Sequence, residues 1–243
     1  MSIFKHHAKV ETNVFFLAVG ILLTVIVGGL VEVVPLFTIE STIEKVDGVR
    51  PYSPLEQAGR DIYVREGCYN CHSQMIRPFK DEVERYGHYS LAAESKYDHP
   101  FQWASKRTGP DLARVGGKYT NDWQVRHLMN PRDVVPESVM PGYPHLMRAL
   151  DQSTIVGNLT TLRIVGVPYT DEQLKNAKAH LVEQATTTAG AESAIAKAYP
   201  KAVVGDFDGN PQVVSEMDAL VAFLQVLGTM VDFTTVDHTK IQR

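Results

Sequence analysis

Both cysteines of this chain fall in one run of nine residues, EGCYNCHSQ at positions 66 to 74, and a histidine directly follows the second of them. Cys68, Cys71 and His72 thus stand in the spacing C-x-x-C-H. Two thiols and an imidazole so arranged support three chemistries. A zinc site needs four ligands, and neither a second C-x-x-C nor a spaced histidine pair follows downstream. A thioredoxin-like dithiol would follow a strand in a βαβ unit and would give the histidine no required role. A disulfide across a two-residue gap closes a strained ring. Covalent attachment of a haem c uses all three residues: the thiols add to the two vinyl groups and the imidazole ligates the iron. The triplet by itself does not decide among them.

The elements that must position the triplet are readable on either side. Upstream, SPLEQAGRDIYVREG has Ser53 as N-cap, Pro54 in the first helical position and Glu56 closing a capping box, with Leu55, Ala58, Gly59, Ile62 and Tyr63 on one face. This helix delivers Cys68. Near the other end, SEMDALVAFLQVLG pairs Ser215 with Asp218 at its start and stops at Gly228. Between them, a short helix is expected from Thr120, ended by Pro131, and a longer one from TDEQLKNAKAHLVEQA, opened by Thr170 and Gln173. Alternating β-branched runs are scarce apart from TLRIVGV at 161 to 167. The fold class expected is mainly α, with long loops.

At the N-terminus, Val14 to Val31 is an 18-residue stretch without a charge, which as a helix rises about 27 Å, close to the hydrocarbon thickness of a bilayer. The apolar run continues into VEVVPLF without a small-residue cleavage pattern, so an uncleaved anchor is expected rather than a signal peptide. Lys5 and Lys9 before the span are balanced by Lys45 and Arg50 after it, and charge leaves the topology nearly open. Over all 243 residues, 24 basic and 28 acidic side chains give a net charge of −4, which provides no basic face for nucleic acid. With 44% hydrophobic residues the chain can bury a core.

Two further segments, TGPDLARVGGKY at 108 to 119 and MPGYP at 140 to 144, stand in the order in which the cytochrome c fold places its loop behind the histidine and its methionine ligand. The region after the anchor therefore resembles a class I cytochrome c, with Cys68, Cys71, His72, Gly109, Pro110 and Met140 on the motif positions. The resemblance implies one covalently bound haem c, His72 and Met140 as its metal ligands, and the Pro110 carbonyl accepting the Nδ1 proton of His72. It also implies that the first and last helices cross through Gly59 and Tyr63 against Leu220 and Phe223. Met75 lies too near His72 to reach the opposite haem face; Met129 and Met217 fall in helix patterns, and Met147 and His145 are the remaining rivals of Met140. With both axial positions filled, such a site passes electrons and has no catalytic residue of its own.

The region is about twice a typical small cytochrome domain. Extra stretches run from about 76 to 107 and from about 145 to 210. The first mixes Phe79, Tyr86, Tyr89, Tyr97, Phe101 and Trp103 with charges, a composition typical of contacts with another protein. CHSQMIRPFKDEVERYGHYSLAAESKYDHPFQW, the anchor and SKRTGPDLARVGGKY together resemble the mono-haem cytochrome c subunit of cbb3-type cytochrome c oxidases. That resemblance implies a single-pass subunit of the bacterial inner membrane. Residues 1–13 would be cytoplasmic, 14–36 transmembrane, and 37–243 a periplasmic domain. It would relay electrons from a di-haem cytochrome c subunit to the haem-copper catalytic subunit. Arg77 and Trp123 are candidate donors to the haem propionates. Two other readings are the cytochrome c subunit of a nitric oxide reductase, against which the aromatic insertion argues, and a membrane-tethered dithiol or metal-binding protein without haem.

Overall fold

The structure is a computed structural model describing residues 3–39, 43–103, 106–187 and 193–236, and the chain divides after Glu44 into two compact units. The first unit holds α1 (Ile3–Glu11) and α2 (Val14–Thr38). Asn13 caps α2, its side-chain oxygen accepting from the backbone N–H groups of Phe15 (3.1 Å) and Phe16 (3.3 Å). None of the 25 residues of α2 is buried, so its apolar side chains all face outward, and at about 1.5 Å per residue it is long enough to cross a bilayer. The helix continues through Pro35, past the expected end at 36, and closes with Ile39 N–H on the Pro35 carbonyl at 2.9 Å.

The second unit is built on α3 (Pro54–Arg65) and, after α4 (Lys80–Tyr86), α5 (Asn121–Met129), α6 (Ile155–Ile164), α7 (Asp171–Lys175), α8 (Ala177–Thr186) and α9 (Ala194–Ala198), on α10 (Glu216–Val226). The Ser53–Glu56 and Ser215–Asp218 capping boxes are both formed. Every residue of α10 is buried, and α3 lies across it. Gly59 permits the approach: a β-carbon there would sit 1.8 Å from the Ala219 carbonyl oxygen. Beside the crossing, the Tyr63 and Phe223 rings are 5.5 Å apart and the Tyr52 and Phe223 rings 5.6 Å apart. The crossing expected of a class I cytochrome c is therefore present.

The stretch from 145 to 210 does more than decorate this frame. Leu159, Leu181, Ile195 and Tyr199 are fully buried in the same core. Polar ties bind it to the start of α3: Ser53 donates to Gln184 Oε1 (2.5 Å), Tyr169 to the Tyr52 carbonyl (2.8 Å), and Asn158 to Asp61 Oδ2 (3.0 Å). The helix that delivers the cysteines is consequently packed on two sides, by α10 and by α8.

Two local expectations are corrected. TLRIVGV is helical through Ile164: Ile155, Leu159 and Leu162 supply a helical apolar face, and the Thr160 and Thr161 hydroxyls bond the carbonyls four residues back at 2.7 and 2.9 Å. Gly166, at φ +107°, then turns the chain out of the helix. The single long helix expected from Thr170 is two, broken at Asn176, whose φ and ψ of −95° and 6° leave the helical range. Among the described residues no strand forms; the nearest approach is an isolated antiparallel bridge between Ala149 and Ser215.

Candidate haem-binding site

Helix α3 ends at Arg65, and Gly67 reverses the chain at φ +72°, a left-handed conformation that glycine adopts without strain. Cys68–Asn70 then forms a 3-10 turn in which the Cys68 carbonyl accepts from both Cys71 N–H (3.1 Å) and His72 N–H (2.9 Å). Both thiols and the imidazole are so gathered in one turn, and neither cysteine is in a disulfide.

The imidazole is oriented from the loop at 109–112. His72 Nδ1 lies 2.8 Å from the Pro110 carbonyl oxygen; a carbonyl only accepts, so Nδ1 carries the proton and the Nε2 lone pair is left for another partner. The ring lies against Gly109, where a β-carbon would come within 2.3 Å of Cε1. Backbone bonds from Gly109 N–H to the Cys71 carbonyl and from Leu112 N–H to the Ser73 carbonyl, both 2.9 Å, hold the two segments in register.

A buried polar cluster secures that pairing to the first insertion. Asp111 accepts from the Ser73 hydroxyl (2.5 Å), Met75 N–H (3.1 Å) and Ala113 N–H (2.8 Å). Arg107 donates to Ser73 (2.6 Å), the Met75 carbonyl (3.0 Å) and Glu82 (2.7 Å). Arg107 holds the Glu82 carboxyl down to about 2 against the opposing effect of burial, with Arg77 adding to the effect. Gln74 N–H donates to the Trp103 carbonyl at 3.1 Å, so the far end of the insertion also returns to the motif. Trp103 and Phe101 remain 58% and 47% exposed, their rings 5.6 Å apart.

The remaining sequence-predicted residues are more scattered. Met140 is half-buried against the core, its N–H held by the Ser138 hydroxyl at 3.2 Å. Of its rivals, Met217 is fully buried in the α3–α10 core, Met147 is 37% exposed, and His145 faces Glu66 at 3.2 Å. Arg77 is ion-paired with Glu82 and lies over the Phe79 ring. Trp123 stacks between Tyr119 (3.9 Å) and His127 (4.7 Å) along α5.

Two residues near the motif escaped sequence reasoning. His127 is drawn below the ordinary histidine range by burial and then by His72, which places it in the same neighbourhood; the Trp123-x-x-x-His127 spacing, one helical turn, is the signal that points to it. Tyr143 is raised above the ordinary tyrosine range, chiefly by burial. Its N–H on the Leu128 carbonyl at 2.7 Å fixes the segment just after Met140.

Burial, followed by the Glu66 carboxylate, pushes the Cys68 thiol up to about 12. An imidazole with a fixed proton on Nδ1, two unpaired thiols and a half-buried thioether are a donor set that fits a haem c.

Helices α3 and α10 cross beside a C-x-x-C-H turn backed by a Gly-Pro loop, the arrangement expected of a class I cytochrome c. The chain belongs to the family described as cytochrome c oxidase, mono-heme subunit/FixO, whose model matches residues 7–231 and so takes in the apolar helix, both insertions and α10. It is accordingly a subunit of a cytochrome c oxidase complex of the cbb3 type. No curated protein matches the chain.

Proposed function

We propose that this chain is the anchored electron relay of its oxidase. One haem c is bound covalently through Cys68 and Cys71, with His72 and Met140 as the two ligands of the iron. Electrons pass from a di-haem cytochrome c subunit to the haem-copper subunit. Residues 1–13 lie in the cytoplasm, 14–36 in the inner membrane, and 37–243 in the periplasm, where haem attachment takes place. The observation that carries the reading is the His72 Nδ1 bond to the Pro110 carbonyl, which prepares an imidazole for iron, in a chain matched over nearly its whole length by a mono-haem family.

When bound, the haem supplies one reversible electron at its iron. The chain's own residues do the rest. The Pro110 bond fixes the tautomer and ring plane of His72, and Gly109 leaves room for that plane. Met140 would supply the second, soft ligand that favours the reduced state, and a group so held would pass electrons and leave oxygen chemistry to the partner subunit. Trp123 and Arg77 are the proposed donors to the carboxylates of the group. Alkaline pyridine spectra of the denatured protein test the covalent haem; co-purification of a copper-containing subunit tests the oxidase against a nitric oxide reductase.

Phe101 and Trp103 are the proposed partner surface. They are exposed, yet the chain carrying them is bonded back to Gln74, two residues from His72, so a protein docked there approaches the haem motif. Trp103→Ala is expected to cost about 2 kcal/mol of association, seen as loss of co-purification in a stringent wash, while haem staining is retained. Undiminished co-purification would move the interface elsewhere.

A further inference from the structure

Five charged or ionisable side chains from three parts of the domain form a continuous chain at the end of α3. His145 Nε2 lies 3.2 Å from Glu66; Arg65 Nε donates to Glu66 at 2.9 Å. Arg65 also makes a two-pronged contact with Glu216, at 2.9 and 2.6 Å, and Arg148 Nε donates to the same carboxylate at 2.9 Å. Glu216 is the convergence point: its side chain is only 8% exposed, whereas those of Arg65 and Arg148 are 42% and 56% exposed.

The three parts are those on which the Met140 ligation depends. Arg65 and Glu66 end the helix that enters the Cys68 turn. His145 and Arg148 lie five and eight residues beyond Met140, and Glu216 opens α10. The backbone repeats the connection: Glu216 N–H donates to the Arg148 carbonyl (3.0 Å) and Leu150 N–H to the Val214 carbonyl (2.9 Å). Nearer Met140 the segment is held on α5, through Tyr143 N–H and through Gly142, where a β-carbon would fall 2.6 Å from the Met129 carbonyl oxygen.

We infer that Glu216, gripping Arg65 and Arg148 together, is a positioning residue that sets the distance between the haem-attachment turn and the Met140 segment. The inference rests on the reading of Met140 as the iron ligand. Without the grip, the segment beyond Tyr143 keeps its backbone bonds, the buried Leu146 and the His145 contact with Glu66 but loses its one side-chain tie to α10, and the thioether leaves the iron more readily. Charge-assisted bonds of this kind are worth enough to change such an equilibrium about tenfold.

The test uses the full-length holoprotein in detergent, carrying Arg148→Ala or Glu216→Gln, with Arg148→Lys as the conservative variant. The readout is the sulfur-to-iron absorption band at the red end of the oxidised spectrum, followed against temperature and against rising pH, with helix melting followed separately. Arg148 is half exposed, so its alanine variant is expected to keep the fold. The band should be lost at lower temperature and about one pH unit earlier in both disruptive variants, with helix melting nearly unmoved for Arg148→Ala and the band largely restored in Arg148→Lys. A band that persists as in the wild type, or that moves only together with helix melting, overturns the inference and leaves the Met140 assignment standing. A wild-type protein lacking the band overturns that assignment and this inference with it.

Discussion

Met140→Leu is expected to yield a protein that still stains for haem but binds carbon monoxide when reduced. Leucine keeps the bulk and apolar character of a half-buried side chain and removes only the thioether, so the fold has little reason to change. The proposed attachment through Cys68 and Cys71 does not involve Met140, and His72 keeps its bond to Pro110. On the proposed ligation the iron loses one ligand, and with it the soft donor that favours the reduced state, so the potential is expected to fall and electron delivery to the oxidase to drop by a large factor. Persistence of the red-end sulfur band in this variant would transfer the assignment to another residue, Met147 first.

The second large effect is purely mechanical. Gly59→Ala adds one carbon where the Ala219 carbonyl oxygen would be 1.8 Å away, its carbon 2.5 Å and the Phe223 β-carbon 2.8 Å. None of these is the tip of a flexible side chain, so α3 and α10 must separate, and the cost is expected to exceed about 3 kcal/mol, at the upper end of overpacking effects. Denaturant unfolding of the holoprotein measures it. Gly157→Ala on α6 is the control: its β-carbon meets nothing within 4 Å, and stability should stay within about 1 kcal/mol of wild type. Equal behaviour of the two variants would mean that the α3–α10 crossing is looser than described.

How much of this was legible beforehand follows the range of the interactions. Ser53, Glu56, Ser215 and Asp218 act within four residues, and both capping boxes are where the sequence places them. The apolar helix from Val14 was equally plain, because a long uncharged run needs no tertiary context. The partnership of Gly59 with Ala219 came through the family pattern, since nothing local to either residue announces it. The packing of 145 to 210 was not legible: Leu159, Leu181 and Tyr199 join the core of α3 across more than 90 positions of sequence, and the segment carries no motif. TLRIVGV misled because four of its residues are β-branched, a weak local preference that the buried face of α6 overrides. At the site, the order of motifs pointed to Cys68, Cys71, His72 and Pro110, whereas the buried cluster of Asp111, Arg107 and Glu82 joins charges about 25 to 30 positions apart that no local pattern pairs.

The double packing of α3 also bears on how the protein matures. Its partners, α8 and α10, lie more than a hundred residues further along the chain. On the proposed orientation the domain leaves the membrane from its N-terminal end, so the helix next to the cysteines emerges first and finds its neighbours last. At synthesis rates of about 5 to 20 residues per second, the delay until α10 appears is on the order of ten seconds. Throughout that interval the helix beside Cys68 and Cys71 lacks both of its packing partners, which leaves the two thiols accessible for the proposed attachment of haem. The architecture thus makes the completion of this helix the last event of folding, and a version shortened to the minimal cytochrome frame would lose α8, one of the two surfaces that complete it.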